Sequence, residues 1–176
     1  MIERIETDRC ILRKVSVDDA ALIFSAYAQD DDVVRYLDWA KHESVQDTID
    51  FLRLCQQWRI DGKEYTFAIL HKDTWWFMGM FALRPRGEVG DFGYVLAKNW
   101  WGKWYMTEVL QKMLAVWFAT FGLQKIVGYC DVDNVASAKV MEKVGMQFVG
   151  VEKERWVRPA FWNTKRDANA YEIYPE

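Results

Sequence analysis

The stretch Asn99–Gly122, NWWGKWYMTEVLQKMLAVWFATFG, carries the most regular pattern in the chain. Met106, Val109, Leu110, Met113, Leu114, Trp117, Phe118 and Phe121 fall at i, i+3, i+4, i+7, i+8, i+11, i+12 and i+15, which predicts a long helix with one buried face. Gly122 supplies its stop. Ahead of the helix a glycine and a lysine stand among Trp100, Trp101, Trp104 and Tyr105. A helix start gathers free backbone N–H groups and the positive end of the dipole, so this junction suits an anion, a pyrophosphate above all. Gly102 lets a backbone come close and Lys103 adds charge, although a plain helix start uses the same residues.

Outward from this segment the texture changes. On its N-terminal side Tyr65–Leu70, Trp75–Leu83 and Glu88–Ala97 are β-rich runs divided by turn residues, a predicted antiparallel meander. Before them, Cys10–Lys14 reads as a first strand. Asp18 and Asp19 cap a helix over AALIFSAYA, and Asp30–Asp32 reads as a solvated loop or cap. Ser44–Ile60 is a second helix that Asp61-Gly62 ends. On the C-terminal side Lys125–Asp131 predicts a strand, and Asp133 or Asn134 caps a helix that turns Ala136, Val140 and Val144 inward. Phe148–Val151 and Ala170–Tyr174 supply two short strands around an aromatic loop. This order is α+β, with the strand-helix-strand unit around residues 88 to 131 parallel.

Composition bounds the function. A chain of 176 residues that is 51% hydrophobic, with no repeat or Pro/Gly/Ser linker, fits a single domain spanning 1–176. The start is charged and the longest apolar run, MLAVWFATF, is too short to span a bilayer, so a cytoplasmic protein without a membrane partner is expected. A net charge of -3 gives no field that would hold nucleic acid. Cys10, Cys55 and Cys130 are scattered and suit a reducing compartment, and His42 and His71 lack partners at metal-ligand spacing, so no metal is expected. Most of the ten tryptophans suit the core, but the adjacent pairs Trp75-Trp76 and Trp100-Trp101 cannot both point inward on a strand, which points to some ring surface in a cleft or a subunit contact.

Four segments, in order, resemble one family. TDRCILRKVSVDDA (Thr7–Ala20) is similar to an opening T-x-R-L-x-L-R…D-A, and GDFGYVL (Gly90–Leu96) to an E-I-G-Y-x-L strand. WWGKWYMTEVL is similar to a W-G-K-G-Y-A-T-E-A loop and helix, and DVDNVASAKVMEKVGMQFVG (Asp131–Gly150) to D-x-x-N-x-x-S…K-x-G-F-x-x-x-G. The patterns are those of the GNAT N-acetyltransferase superfamily, in the branch of the bacterial ribosomal-protein N-terminal acetyltransferases, and they cover nearly the whole chain. The resemblance implies a mixed, mostly antiparallel sheet with a central parallel strand pair, flanked by about four helices. It implies acetyl-CoA as cosubstrate and direct transfer of the acetyl group, within a ternary complex, to a primary amine of a protein N-terminus or a small molecule. It also suggests a homodimer.

By the same resemblance, the strand with Tyr94, Val95 and Leu96 would pair its backbone with the pantetheine arm. The loop Trp101, Gly102, Lys103, Trp104, Tyr105, Met106 and Thr107 would hold the pyrophosphate, and Asn134 the pantetheine from the other side. An amine attacks only when unprotonated, so a carboxylate near the thioester is of use. Asp91 is the candidate base, with apolar neighbours raising its pKa; the other reading is a carboxylate paired to a basic residue. Ser137 matches a serine near the sulfur, and also reads as a first-turn serine of a capped helix. Glu108 reads as dipole-compensating.

The sequence departs from the family loop, Q/R-x-x-G-x-G/A, by placing Trp101, Trp104 and Met106 at its defining positions. A Cβ and an indole at position 104 compete with a phosphate for room and make positive φ costly. A rival reading is therefore a non-catalytic binding module whose pyrophosphate site Trp104 fills. The rings Trp39, Trp156, Phe161 and Trp162 lean toward an apolar or aromatic acceptor.

Overall fold

Neighbouring β-rich runs pair across short turns, and that rule builds most of the sheet. The computed structural model describes residues 3–175. Its eight strands form one sheet in the order β1-β2-β3-β4-β5-β6-β8-β7. They are β1 Arg4–Glu6, β2 Cys10–Lys14, β3 Tyr65–His71, β4 Phe77–Arg86, β5 Val89–Leu96, β6 Lys125–Asp131, β7 Gln147–Arg158 and β8 Thr164–Ile173. Every pairing is antiparallel except β5 with β6, which is parallel. The meander and the parallel unit are as the sequence predicts. Strand β1 was not expected, because three residues carry no periodicity.

The helices are α1 Ala20–Ile23, which runs on as a π turn to Ala28, α2 Asp31–Val34, α3 Val45–Ile60, α4 Tyr105–Phe121 and α5 Val135–Lys143. Ser16, rather than Asp18 or Asp19, caps the first helical segment in a capping box with Asp19. Asp30 caps α2, one of the two readings of that acidic run. Helix α4 turns Val109, Leu110 and Met113 fully inward and packs Trp117, tilted, against Phe81 and Phe92, at 5.4 and 6.2 Å between ring centroids. In α5 the buried residue is Met141, while Ala136 is exposed, which shifts the expected inward face.

The last two strands are long, not short. Strands β7 and β8 form a hairpin joined by a 3₁₀ turn at Pro159–Phe161. Register slips between Phe148 and Gly150 and between Glu152 and Trp156, with positive φ at Gly150 and Glu154, break the alternation that would have marked a continuous strand.

Candidate functional site

The parallel pair β5–β6 holds over only three positions, Val89↔Lys125, Gly90↔Ile126 and Asp91↔Val127. Beyond Asp91, β5 stays with β4 while β6 stays with β8, so the sheet opens between them. The Ala97 amide donates to Met78 O on β4 at 2.8 Å. By strand alternation the peptide groups of Phe92, Tyr94 and Leu96 then face the opening. A cleft of about 1250 Å³ occupies it, lined by β5, the start of α4, the start of α5, α2 and the β7 end.

The α4 start forms one wall. Among the described residues no backbone amide from Gly102 to Thr107 donates to a protein acceptor; the first helical bond runs from Glu108 N to Trp104 O, 3.1 Å. These orphan donors and the helix dipole make the cradle that a pyrophosphate fits. Gly102 and Trp104 both hold left-handed backbone, φ +71° and +68°. Trp104, 59% exposed, carries its ring beneath Lys143 Nζ at 3.1 Å from the centroid instead of filling the loop. Met106 is buried in the core and adds no bulk to the loop. Trp101 Nε1 donates to Leu96 O at 2.7 Å. Lys103 is turned away: its Nζ donates to Asn99 O at 2.8 Å and its side chain does not line the cleft.

Glu108 does more than offset a dipole. Its Oε1 accepts from the Arg9 amide at 2.8 Å and its Oε2 from Arg9 Nε at 2.6 Å, while the guanidinium covers Tyr105 at 4.2 Å and reaches Lys103 O at 3.2 Å. Arg9, from the opening motif, thus ties the β1–β2 turn to the loop.

Asp91 lies at the point where the strands part, and its surroundings are not the apolar ones expected. Arg84 stands directly opposite on β4 and donates through Nε to Oδ1, and Arg86 Nε donates to Oδ2 at 3.1 Å. Gly93, without a Cβ, leaves room for the Arg84 guanidinium, 3.4 Å from where a Cβ would sit. The Arg84 Nη1 also bonds Glu64 at 3.2 Å. Each carboxylate oxygen of Asp91 retains a second lone pair.

Across the opening, Asn134 Oδ1 caps α5 by accepting from the Ser137 amide at 3.1 Å. Ser137 Oγ lies 2.9 Å from the Tyr94 hydroxyl. Burial pushes the Tyr94 phenol well above its ordinary range, partly offset by Ser137, so it is protonated at neutral pH. Cys130, beside them, has its thiol pushed up to about 11 by burial. Below sits Asp131, fully buried, whose two oxygens accept from Arg166 Nε and Nη2 at 2.9 and 2.8 Å. Desolvation raises the Asp131 pKa, but Arg166 and the Asp133 amide outweigh it and hold it below the ordinary range.

The model of the acetyltransferase (GNAT) domain family matches residues 9–147. The chain belongs to the GNAT acetyltransferase family. The chain is 28% identical over 176 residues to the uncharacterized N-acetyltransferase YoaA of Bacillus subtilis, covering 98% of this chain and 97% of that protein. Its fold is that of a GNAT acetyltransferase from Bacillus anthracis, with TM-score 0.85 and 24% identity over 97% of this chain and 98% of that one. It is also that of RimL, a ribosomal alpha-N-protein acetyltransferase solved in complex with coenzyme A, with TM-score 0.86 and 18% identity over 98% of both chains. GNAT acetyltransferases use acetyl-CoA, and the opened sheet and orphan amides of this member fit that cosubstrate.

The GNAT site also contains groups the sequence reading missed. Arg84 and Arg86 could be found only from the β4–β5 register, and the Tyr94–Ser137 contact only from the packing of α5 on β5. Of the four rings expected at an acceptor pocket, Trp156 alone lines the cleft. Trp39 packs on the core against Phe51 of α3, Phe161 packs tilted on Tyr36 at 6.0 Å between centroids, and Trp162 is exposed.

Proposed function

We propose that this GNAT protein transfers the acetyl group of acetyl-CoA to a primary amine by direct transfer within a ternary complex. The observation that carries the reading is the run of orphan amides from Gly102 to Thr107 beside an opened β5 edge. The exposed ring of Trp104 argues against the rival in which that residue plugs the loop. Bound acetyl-CoA supplies an acyl thioester. The amides of the α4 start bind its pyrophosphate, Asn134 Nδ2 and the β5 edge orient the pantetheine, and a β5 N–H polarises the thioester carbonyl. Asp91 accepts the amine proton, directly or through water, and Ser137 Oγ, backed by the protonated Tyr94, holds a proton at the departing sulfur. Relatives named for acetylation of amino groups, RimL at a protein N-terminus among them, support an amine acceptor, either a protein N-terminus or a small molecule.

Calorimetric titration with acetyl-CoA tests the reading, followed by CoA release across an amine panel. No binding at millimolar acetyl-CoA overturns it. Within that assay Ser137→Ala should lower kcat about tenfold with little change in acetyl-CoA affinity, the worth of one hydrogen bond made late in the reaction. Trp104→Gly should tighten acetyl-CoA binding about two- to fivefold, because it releases Lys143 from a cation–π contact of about 0.5–1 kcal/mol. Weaker binding by the glycine variant would make the indole a ligand contact.

A further inference from the structure

Arg158 ends β7 and lines the cleft, yet it is only 5% exposed. Its Nε is buried with no hydrogen-bond partner, and among the described residues no side-chain acceptor or ion-pair partner takes its other nitrogens. The guanidinium lies over the Trp156 ring, 4.0 Å from the centroid. Burial lowers its pKa, and Asp38 and Asp131 favour its charge from a distance without bonding it. A buried N–H without an acceptor is costly unless something brings one.

The other cationic groups on this cleft are differently placed: Lys63 pairs with Asp61, Lys143 lies over the Trp104 ring and Lys139 is exposed. Arg84 and Arg86 are held by Asp91, and Arg155 by Glu152 while it covers Tyr129 at 3.4 Å. Arg35 is exposed. Arg59 is an instructive contrast: it too is buried with unpartnered Nη1 and Nη2, but it rests on the faces of Tyr65 and Phe67 at 5.4 and 5.0 Å and does not line the cleft, so no ligand can reach it there. Arg158 combines burial, an unfilled fork and an opening. It belongs to the wall formed by the segment after α2 and the β7–β8 hairpin, which meet where the Tyr36 ring packs tilted on Phe161 and its hydroxyl donates to Asp133 O at 3.4 Å. That wall is not the α4 start, which already offers its amides to the cosubstrate.

We infer that Arg158 binds a carboxylate or phosphate carried by the acceptor, so that the preferred substrate is an amine bearing an oxyanion. The fork of a guanidinium matches either group with two parallel hydrogen bonds, and the Trp156 face fixes its plane beforehand. The inference rests on the acetyltransferase reading for the identity of the ligand as acceptor, and on Arg158 alone for its charge.

Matched pairs test it: L-phenylalanine against L-phenylalaninamide, and O-phosphoethanolamine against ethanolamine. Affinity is measured by calorimetry, with and without CoA, and turnover by CoA release. The anionic member of at least one pair should bind about tenfold more tightly than its neutral partner, and the responding pair tells carboxylate from phosphate. Arg158→Gln should erase that ratio and Arg158→Lys should keep part of it, since an ammonium retains charge without the fork. Because the ratio is internal to each variant, a general loss of folding cancels. Equal affinities within both pairs, no measurable binding of either anion at millimolar concentration, a ratio that survives in Arg158→Gln, or a loss confined to acetyl-CoA binding each overturns the inference. Discrimination without CoA release would sink the transferase reading and leave the anion site standing; CoA release without discrimination would do the reverse.

Discussion

Replacing Arg166 by methionine is expected to cost about 3–5 kcal/mol of folding stability, measured as a shift in the urea midpoint at unchanged slope. The size follows from what is left behind. Asp131 is 0% exposed and both of its oxygens bond to Arg166. Methionine preserves much of the volume but leaves a buried carboxylate without its countercharge. The same ion pair fixes the turn into α5, because Asp131 Oδ1 also accepts from the Asp133 amide at 3.0 Å, one residue before Asn134. Acetyl-CoA affinity should therefore fall together with stability, although Arg166 does not line the cleft. The pH dependence has a definite sign. The folded-state pKa of Asp131 lies below its ordinary value, so its contribution is complete above the ordinary aspartate range and is lost as pH falls through the lowered one. The wild type should lose this part of its stability only in strong acid. In the methionine variant desolvation is largely unopposed and drives the Asp131 pKa upward, so the sign reverses: the variant should regain part of its lost stability as pH falls and the carboxylate is protonated.

Asp91→Asn should lower kcat about 100-fold or more while acetyl-CoA affinity changes little, measured by steady-state turnover and calorimetry. Asparagine keeps the shape and can still accept from Arg84, but it cannot take a proton, and it leaves Arg86 without its carboxylate and Arg84 with Glu64 alone. If the lost function is proton acceptance, the deficit should shrink as pH rises toward the acceptor's own pKa, near ~8 for an α-amine, where the free amine is already abundant. An undiminished rate, or a deficit constant with pH, would reduce Asp91 to a structural partner of Arg84.

Much of the architecture was legible because it depends on local periodicity. Helix α4 shows its buried face at 3.6-residue spacing and its end at Gly122, and the meander before it shows in β-rich runs divided by turns. What escaped depends on contacts between distant residues. The identity of the Arg84–Asp91 pair follows from cross-strand register, which the run of residues around Asp91 does not encode; of the two settings read for Asp91, the pairing to a basic residue is present and the apolar one is not. The fate of Trp104 turned on Lys143, which belongs to another helix, and Lys103 found a nearer carbonyl than the loop it was expected to serve. The length of β7 was hidden by its own bulges. The burial of Arg158 has no sequence signal, since a basic residue in a basic stretch reads as surface.

The three-residue contact between β5 and β6 leaves this protein with an unfinished sheet. A molecule that lies against the bare β5 edge acts as a strand the gene does not encode, and its backbone-like amides complete a ladder that the chain leaves open. Affinity and foldedness are then one thermodynamic quantity: whatever fills the opening stabilises the native state by mass action. In a cell rich in such a molecule, the polypeptide by itself describes only part of the folded object.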